Sequence, residues 1–135
     1  MKYDIVALLS SMLNEAGIND IMDSDLSNHS TISLSMKEEI PAIHIRDENN
    51  EVWIWSPVLE NAPASLAYCS ANLLPLMMTY NEEYFYAGQP CLYPVDGSIE
   101  LRAQIKEKHL QNSDAFLSLL DHYLTVLQDY RSVLV

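Results

Sequence analysis

The chain is short of positive charge. Seven lysines and arginines stand against nineteen aspartates and glutamates among 135 residues, giving a net charge of −12. Affinity for nucleic acid comes largely from Lys and Arg on phosphates, so that partner class is disfavoured, as is an anionic membrane surface. The same acidity favours solubility and attracts basic partners. Glycine is scarce as well: with only Gly17, Gly88 and Gly97 there is no glycine-rich loop to cradle a phosphate. The two cysteines, Cys69 and Cys91, are 22 positions apart with no CxxC spacing, which suits a reduced, cytosolic compartment. Met1 to Leu13 holds one lysine and then a helical pattern, not a continuous apolar run with a small-residue cleavage site, so no signal peptide is expected. Without one, the sequon Asn28-His29-Ser30 carries no meaning.

Hydrophobic residues make up 49% and charged residues 19%, which is enough apolar material for one globular domain spanning residues 1–135. Asn61 to Asn81 lacks any charge and is long enough to raise a membrane span. Ser65, Ser70, Asn72, Pro75 and Thr79 interrupt it, however, and Glu60, Glu82 and Glu83 flank it where a span carries Lys or Arg. No membrane partner is expected.

Periodicity assigns the elements. Ile5, Leu8, Leu9, Met12, Leu13 and Ala16 fall on one helical stripe between Asp4 and Ala16, with Gly17 as a stop. A polar loop from Asn19 to Asn28 follows. Thr31 to Met36 alternates with period two, as does Ala42 to Arg46, and Asp47-Glu48-Asn49-Asn50 is turn chemistry. Val52 to Trp55 makes a third strand, with Val52 and Ile54 on one face and Trp53 and Trp55 on the other. A second helix is expected from Ala64 to Tyr80, capped by Asn61 or Ser65 and kinked at Pro75. It is apolar all round, so it must be covered on more than one side, most simply by a second copy of the chain.

Tyr84-Phe85-Tyr86 reads as a short aromatic strand, which Cys91 to Val95 continues. Asp96-Gly97 is a hairpin signal, and Ser98 to Lys106 alternates with Ile99, Leu101, Ala103 and Ile105 inward. A third helix is expected from Asp114 with Ser113 as N-cap, along the stripe Phe116, Leu119, Leu120, Tyr123, Leu124, Leu127 and Tyr130. The order α-βββ-α-ββ(β)-α predicts an α+β fold with an antiparallel twisted sheet and three helices.

Chemistry-bearing patterns are absent. Asp20, Asp23 and Asp25 lack the glycine and glutamate of a calcium loop. His29, His44, His109 and His122 show no metal-ligand spacing, and no GxSxG is present. Cys69 sits in an apolar helix as a small hydrophobe. Ser30 beside His29 is no dyad, because adjacent strand residues face opposite ways. No enzyme activity, cofactor or metal is expected. What remains is apolar surface: the first helix, an Ile32-Leu34-Met36 strand with no charge to guard it as an edge, and the two tryptophans. Such a surface suits strand addition by an extended segment. An adaptor or regulatory subunit that binds a folded domain is the alternative.

Three stretches carry a family resemblance: Asn28-His29-Ser30-Thr31-Ile32, then Ile40-Pro41-Ala42-Ile43-His44-Ile45, then Val52-Trp53-Ile54-Trp55. With the small acidic chain and this element order, they resemble the type III secretion chaperones of bacteria, closest to the multi-effector class of the InvB/SpaK type. The resemblance covers essentially the whole chain. Two features depart from it: Ser27-Asn28 stands where the family tends to have Asp-Ser before His-Ser, and Pro75 lies inside the second helix. The resemblance implies a cytoplasmic homodimer that binds the N-terminal segment of effector proteins in extended form. It also implies delivery to the secretion apparatus through its ATPase. By position it assigns Ile5, Leu8, Leu9, Met12, Ile32, Leu34 and Met36 to effector contact, and Leu73, Leu74 and Met77 to the dimer interface.

Overall fold

The computed structural model describes residues 5–15, 31–36, 40–60, 63–79 and 81–134. Its elements are α1 (Ile5–Glu15), β1 (Ile32–Leu34), β2 (Ile43–Glu48), β3 (Glu51–Glu60), α2 (Pro63–Met77), β4 (Cys91–Val95), β5 (Ser98–Gln104) and α3 (Ser113–Val133). The expected α+β architecture is present, with three helices and one five-stranded antiparallel sheet among the described residues. The helix stop at Gly17 and the loop Asn19 to Asn28 lie outside them.

Two hairpins set the sheet register. Asn49 and Asn50 adopt φ of 54° and 64°, and Asp96 and Gly97 adopt 48° and 81°, the left-handed pairs whose twist matches the strands they join. Asparagine tolerates this region because its short polar side chain compensates locally, and glycine has no Cβ to clash. The strand order is β1-β2-β3-β5-β4, so β1 and β4 are the edges.

One face of the sheet is apolar. Ile32, Leu34, Ile43, Ile45, Val52, Ile54, Leu101, Ala103 and Ile105 are all buried there. They form one core with Ile5 and Leu9 of α1 and with Phe116, Leu119, Tyr123, Leu127 and Tyr130 of α3. The α3 residues recur at helical spacing, so one stripe of a 21-residue helix is enclosed. The Tyr123 hydroxyl donates to the Leu101 carbonyl at 2.8 Å, which gives a buried phenol its partner.

Several boundaries differ from expectation. β3 runs on to Glu60, because Ser56 continues the buried alternation and Pro57 falls on the exposed face, with a register irregularity between Pro57 and Leu59. The Tyr84-Phe85-Tyr86 strand reduces to one bridge, Phe85 with Ile105, because φ turns positive at Ala87 and Gly88. The α3 N-cap is Asn112, not Ser113: its Oδ1 accepts from the Ala115 N–H at 2.8 Å. Helix α2 ends at Met77, with Pro75 in its last turn.

Candidate protein-binding surfaces

Among the described residues, three surfaces are left uncovered. The first is the outer side of α2. Leu66, Cys69, Leu73 and Leu76 make the stripe that packs on the core. Opposite them lie Ala67, Ala71, Leu74, Pro75 and Met78, a second stripe at helical spacing. Leu74 is 61% exposed, Met78 73%, and the adjacent Tyr68 85%. So much apolar side chain on one helix face marks an interaction surface, and Ala67 and Ala71 let another backbone approach closely.

The second surface is the β1 edge. Among the described residues β1 pairs only with β2, in the register Ile32 with Ile45, Ser33 with His44 and Leu34 with Ile43. The Ser33 hydroxyl and His44 Nδ1 share a 2.8 Å hydrogen bond that pins the edge strand. Nothing between Thr31 and Met36 is charged or proline, so its free backbone groups have no guard of their own. The β4 edge is built differently. In a two-residue hairpin the closing pair, here Val95 with Ser98, is hydrogen-bonded, so Pro94 turns its nitrogen outward. A strand approaching there meets no donor at Pro94, and Leu92 is the next residue whose N–H faces outward. The two edges are therefore unequal templates.

The third surface is the outer face of the sheet. A cleft of about 500 Å³ runs across it between Thr31, Arg46, Trp53, Trp55, Tyr93 and Arg102. Trp53 and Trp55 project there because Val52 and Ile54 take the core side of β3. The Arg102 guanidinium lies 5.0 Å from the centroid of the Trp55 ring, and its Nε donates to Glu100 Oε1 at 2.8 Å. The Trp53 indole N–H donates to Glu51 Oε2 at 3.1 Å. His44 packs on Trp55 at 5.6 Å, and its pKa is lowered by burial against an opposing pull from Glu100.

Away from these surfaces, Tyr84 stacks on His122 at 4.4 Å and lies tilted against the buried His109 at 4.7 Å. His109 Nε2 meets the Glu83 carbonyl at 2.7 Å. Burial lowers the His122 pKa. Among the described residues no cluster of three or more His, Cys, Asp or Glu could hold a metal. No helix among them is long and apolar enough to cross a membrane.

The residues expected at an effector interface separate into two groups. The side chains of Ile5, Leu9, Ile32 and Leu34 are enclosed in the core, because they lie on the inner stripe of α1 and the inner face of β1. They form the floor behind the edge, and their side chains are not on the surface. Leu8 and Met36 are half-buried against the core. The Met12 side chain lies outside the described residues. Of the residues expected at a dimer interface, Leu74 and Met77 are exposed, while Leu73 points into the core. Sequence reasoning missed Arg46, Arg102 and Tyr93 as neighbours of the tryptophans. The strand pairing brings them together from β2, β4 and β5, and only the outward alternation of each strand hinted at it.

Comparison with known proteins supplies the remaining observations. The model of the Invasion protein B family matches residues 17–96. The Surface presentation of antigens protein SpaK of Salmonella typhimurium is 26% identical over 127 residues, covering 93% of this chain and 91% of that protein. The protein of the same name from Salmonella typhi matches equally. In structure, the chain resembles a chain of the Yersinia pestis type III secretion chaperone SycH in complex with a stable fragment of YscM2. The TM-score is 0.58 at 16% identity, covering 96% of this chain and 98% of that one. It also resembles a chain of the ExoU–SpcU complex from the type III secretion system of Pseudomonas aeruginosa, with a TM-score of 0.59 at 16% identity over 93% and 97% of the two chains.

Proposed function

The chain belongs to the Invasion protein B family of type III secretion chaperones, and from that premise we propose that it works as a cytoplasmic homodimer holding the N-terminal segment of secreted effectors in extended form. The observation that carries the effector-binding part is the β1 edge: uncharged, free of proline, and backed by a packed core. An extended segment laid there gains main-chain hydrogen bonds that any sequence can make. Its alternate side chains meet either the outer face or the rim around Leu8 and Met36, and these give selectivity. A client held this way stays unfolded, hidden from proteases and ready for export. Two proteins of the same fold, SycH and SpcU, were each captured with a partner, which supports a partner-binding role.

The α2 surface supports the dimer. Its Leu74, Met77, Met78 and Tyr68 are apolar and exposed, and a two-fold axis would bury the same stripe on both copies. Leu73 stays inside each subunit and supports the helix from behind. On this reading the chaperone performs no covalent step, and handover to the export machinery, through its ATPase, follows client loading. The acidic surface suits a basic docking partner in that handover.

Limited proteolysis of the chaperone with a co-purified effector tests the proposal. A protected effector segment that is extended and non-globular supports it. Protection of a compact folded domain would instead establish an adaptor that binds folded partners.

A further inference from the structure

We infer that Arg46 gives the open edge a chemical preference: the strand laid on β1 carries an acidic side chain opposite Thr31, its carboxylate on the Arg46 guanidinium and its stem towards the Trp53 ring. This rests on the strand-addition reading above and adds the side-chain class at one position of the client.

The register leads to it. Ile32 pairs with Ile45 and Ser33 with His44, so one residue further places Thr31 opposite Arg46. Arg46 in turn pairs with Trp53, and Trp53 with Gln104. Thr31, Arg46 and Trp53 thus form one row across the outer face, and all three line the cleft. A strand added to β1 lies about 4.8 Å beyond it, which puts its residue in that row about 10 Å from Arg46 along the sheet. An arginine and a glutamate side chain reaching towards each other span that distance. Threonine is too short to block them.

The charges select the acid and the row. Arg46 is exposed, and its guanidinium makes no hydrogen bond or ion pair among the described residues. The other arginine of the cleft, Arg102, is already engaged by Glu100 and Trp55. On either side of the Arg46 row the chemistry changes. Glu48 pairs across to Glu51 in one neighbouring row and repels a carboxylate there. In the other, His44 is tied to Ser33 and its pKa is lowered, so it offers no fixed positive charge. A surface of net charge −12 disfavours acids elsewhere, which sharpens the contrast at this position. The planar guanidinium suits a carboxylate bidentately.

The test uses a randomised twelve-residue peptide library displayed on phage, selected against the wild-type chain and against Arg46→Gln. Trp53 and Trp55 are the two tryptophans of the chain and both line the cleft, so intrinsic fluorescence reports its occupancy. The expected result is enrichment of Asp or Glu at one position of the peptides selected on wild type. Replacing that acid by its amide should weaken binding about five-fold, the scale of an exposed ion pair. Arg46→Gln should not distinguish acid from amide, and Arg46→Lys should recover part of the preference. Arg46 is exposed, so these variants should melt like the parent, which circular dichroism checks. Equal affinity for the acid and amide peptides, or a preference that survives in Arg46→Gln, overturns the role of Arg46 and leaves strand addition standing. Recovery of no peptide, or of peptides that protect no β1 amide from hydrogen exchange, overturns strand addition and the inference with it.

Discussion

If the proposed α2 interface forms, replacing Leu74 by glutamate should convert the dimer to a folded monomer. Burying an exposed leucine side chain stabilises by about 1.5–3 kcal/mol. Leu74 is 61% exposed in the single chain, so enclosing the remainder is worth about 1–2 kcal/mol per copy. A two-fold interface counts each residue twice, giving about 2–4 kcal/mol per dimer. Glutamate loses that and adds the desolvation of two carboxylates with no partner, together about 5 kcal/mol or more. The dissociation constant should then rise more than about a thousand-fold. Leu74→Ala, which removes about 1 kcal/mol per copy, should raise it about 30-fold. Sedimentation equilibrium from nanomolar to high micromolar protein measures both. The monomeric variant should keep the parent's circular dichroism, because Leu74 stands opposite the stripe that packs on the core. A wild-type chain that is monomeric throughout, or a Leu74→Glu chain that associates as tightly as wild type, would refute the reasoning.

Other consequences follow from the core and its histidines. Leu119→Ala, at a fully buried position of α3, should cost about 2–5 kcal/mol in urea unfolding, enough to threaten a domain of this size. Gly97→Ala should cost about 1 kcal/mol and nothing more, since φ is +81° there but open space surrounds the new Cβ. Burial holds the His122 imidazole below its ordinary 6.5, so the folded chain takes up that proton less readily than the unfolded chain. This contribution to stability is complete above 6.5 and declines as pH falls below it, and His44 shifts in the same direction. The urea midpoint should therefore drop between about pH 7.5 and about pH 5.5, and His122→Phe, which keeps a ring against Tyr84, should flatten that slope.

Local pattern determined a good deal of this protein. The inner faces of the strands, the stripe of α3, the opposed placement of Trp53 and Trp55, and the doubly apolar character of α2 were all legible, because each depends on the period of a single element. Ambiguities and departures clustered where a local rule met a tertiary contact. Proline in a strand reads as a stop, yet Pro57 is accommodated at a register irregularity on an exposed face. Ser113 and Asn112 are both good caps, and only the backbone geometry chose between them. Ile5, Leu9, Ile32 and Leu34 read equally well as core or as client surface, because an apolar stripe does not say what covers it.

The tertiary structure decided the rest. The pairing of β3 with β5 joins segments some 40 residues apart, and no local periodicity encodes it. Among the described residues that pairing leaves β1 and β4 as edges and makes them unequal, one without proline and one interrupted at Pro94. It also gathers Arg46, Arg102, Tyr93 and the two tryptophans on one face from four different strands. Periodicity is a short-range property and sets which way a side chain points; strand order is a long-range property and sets which side chains meet.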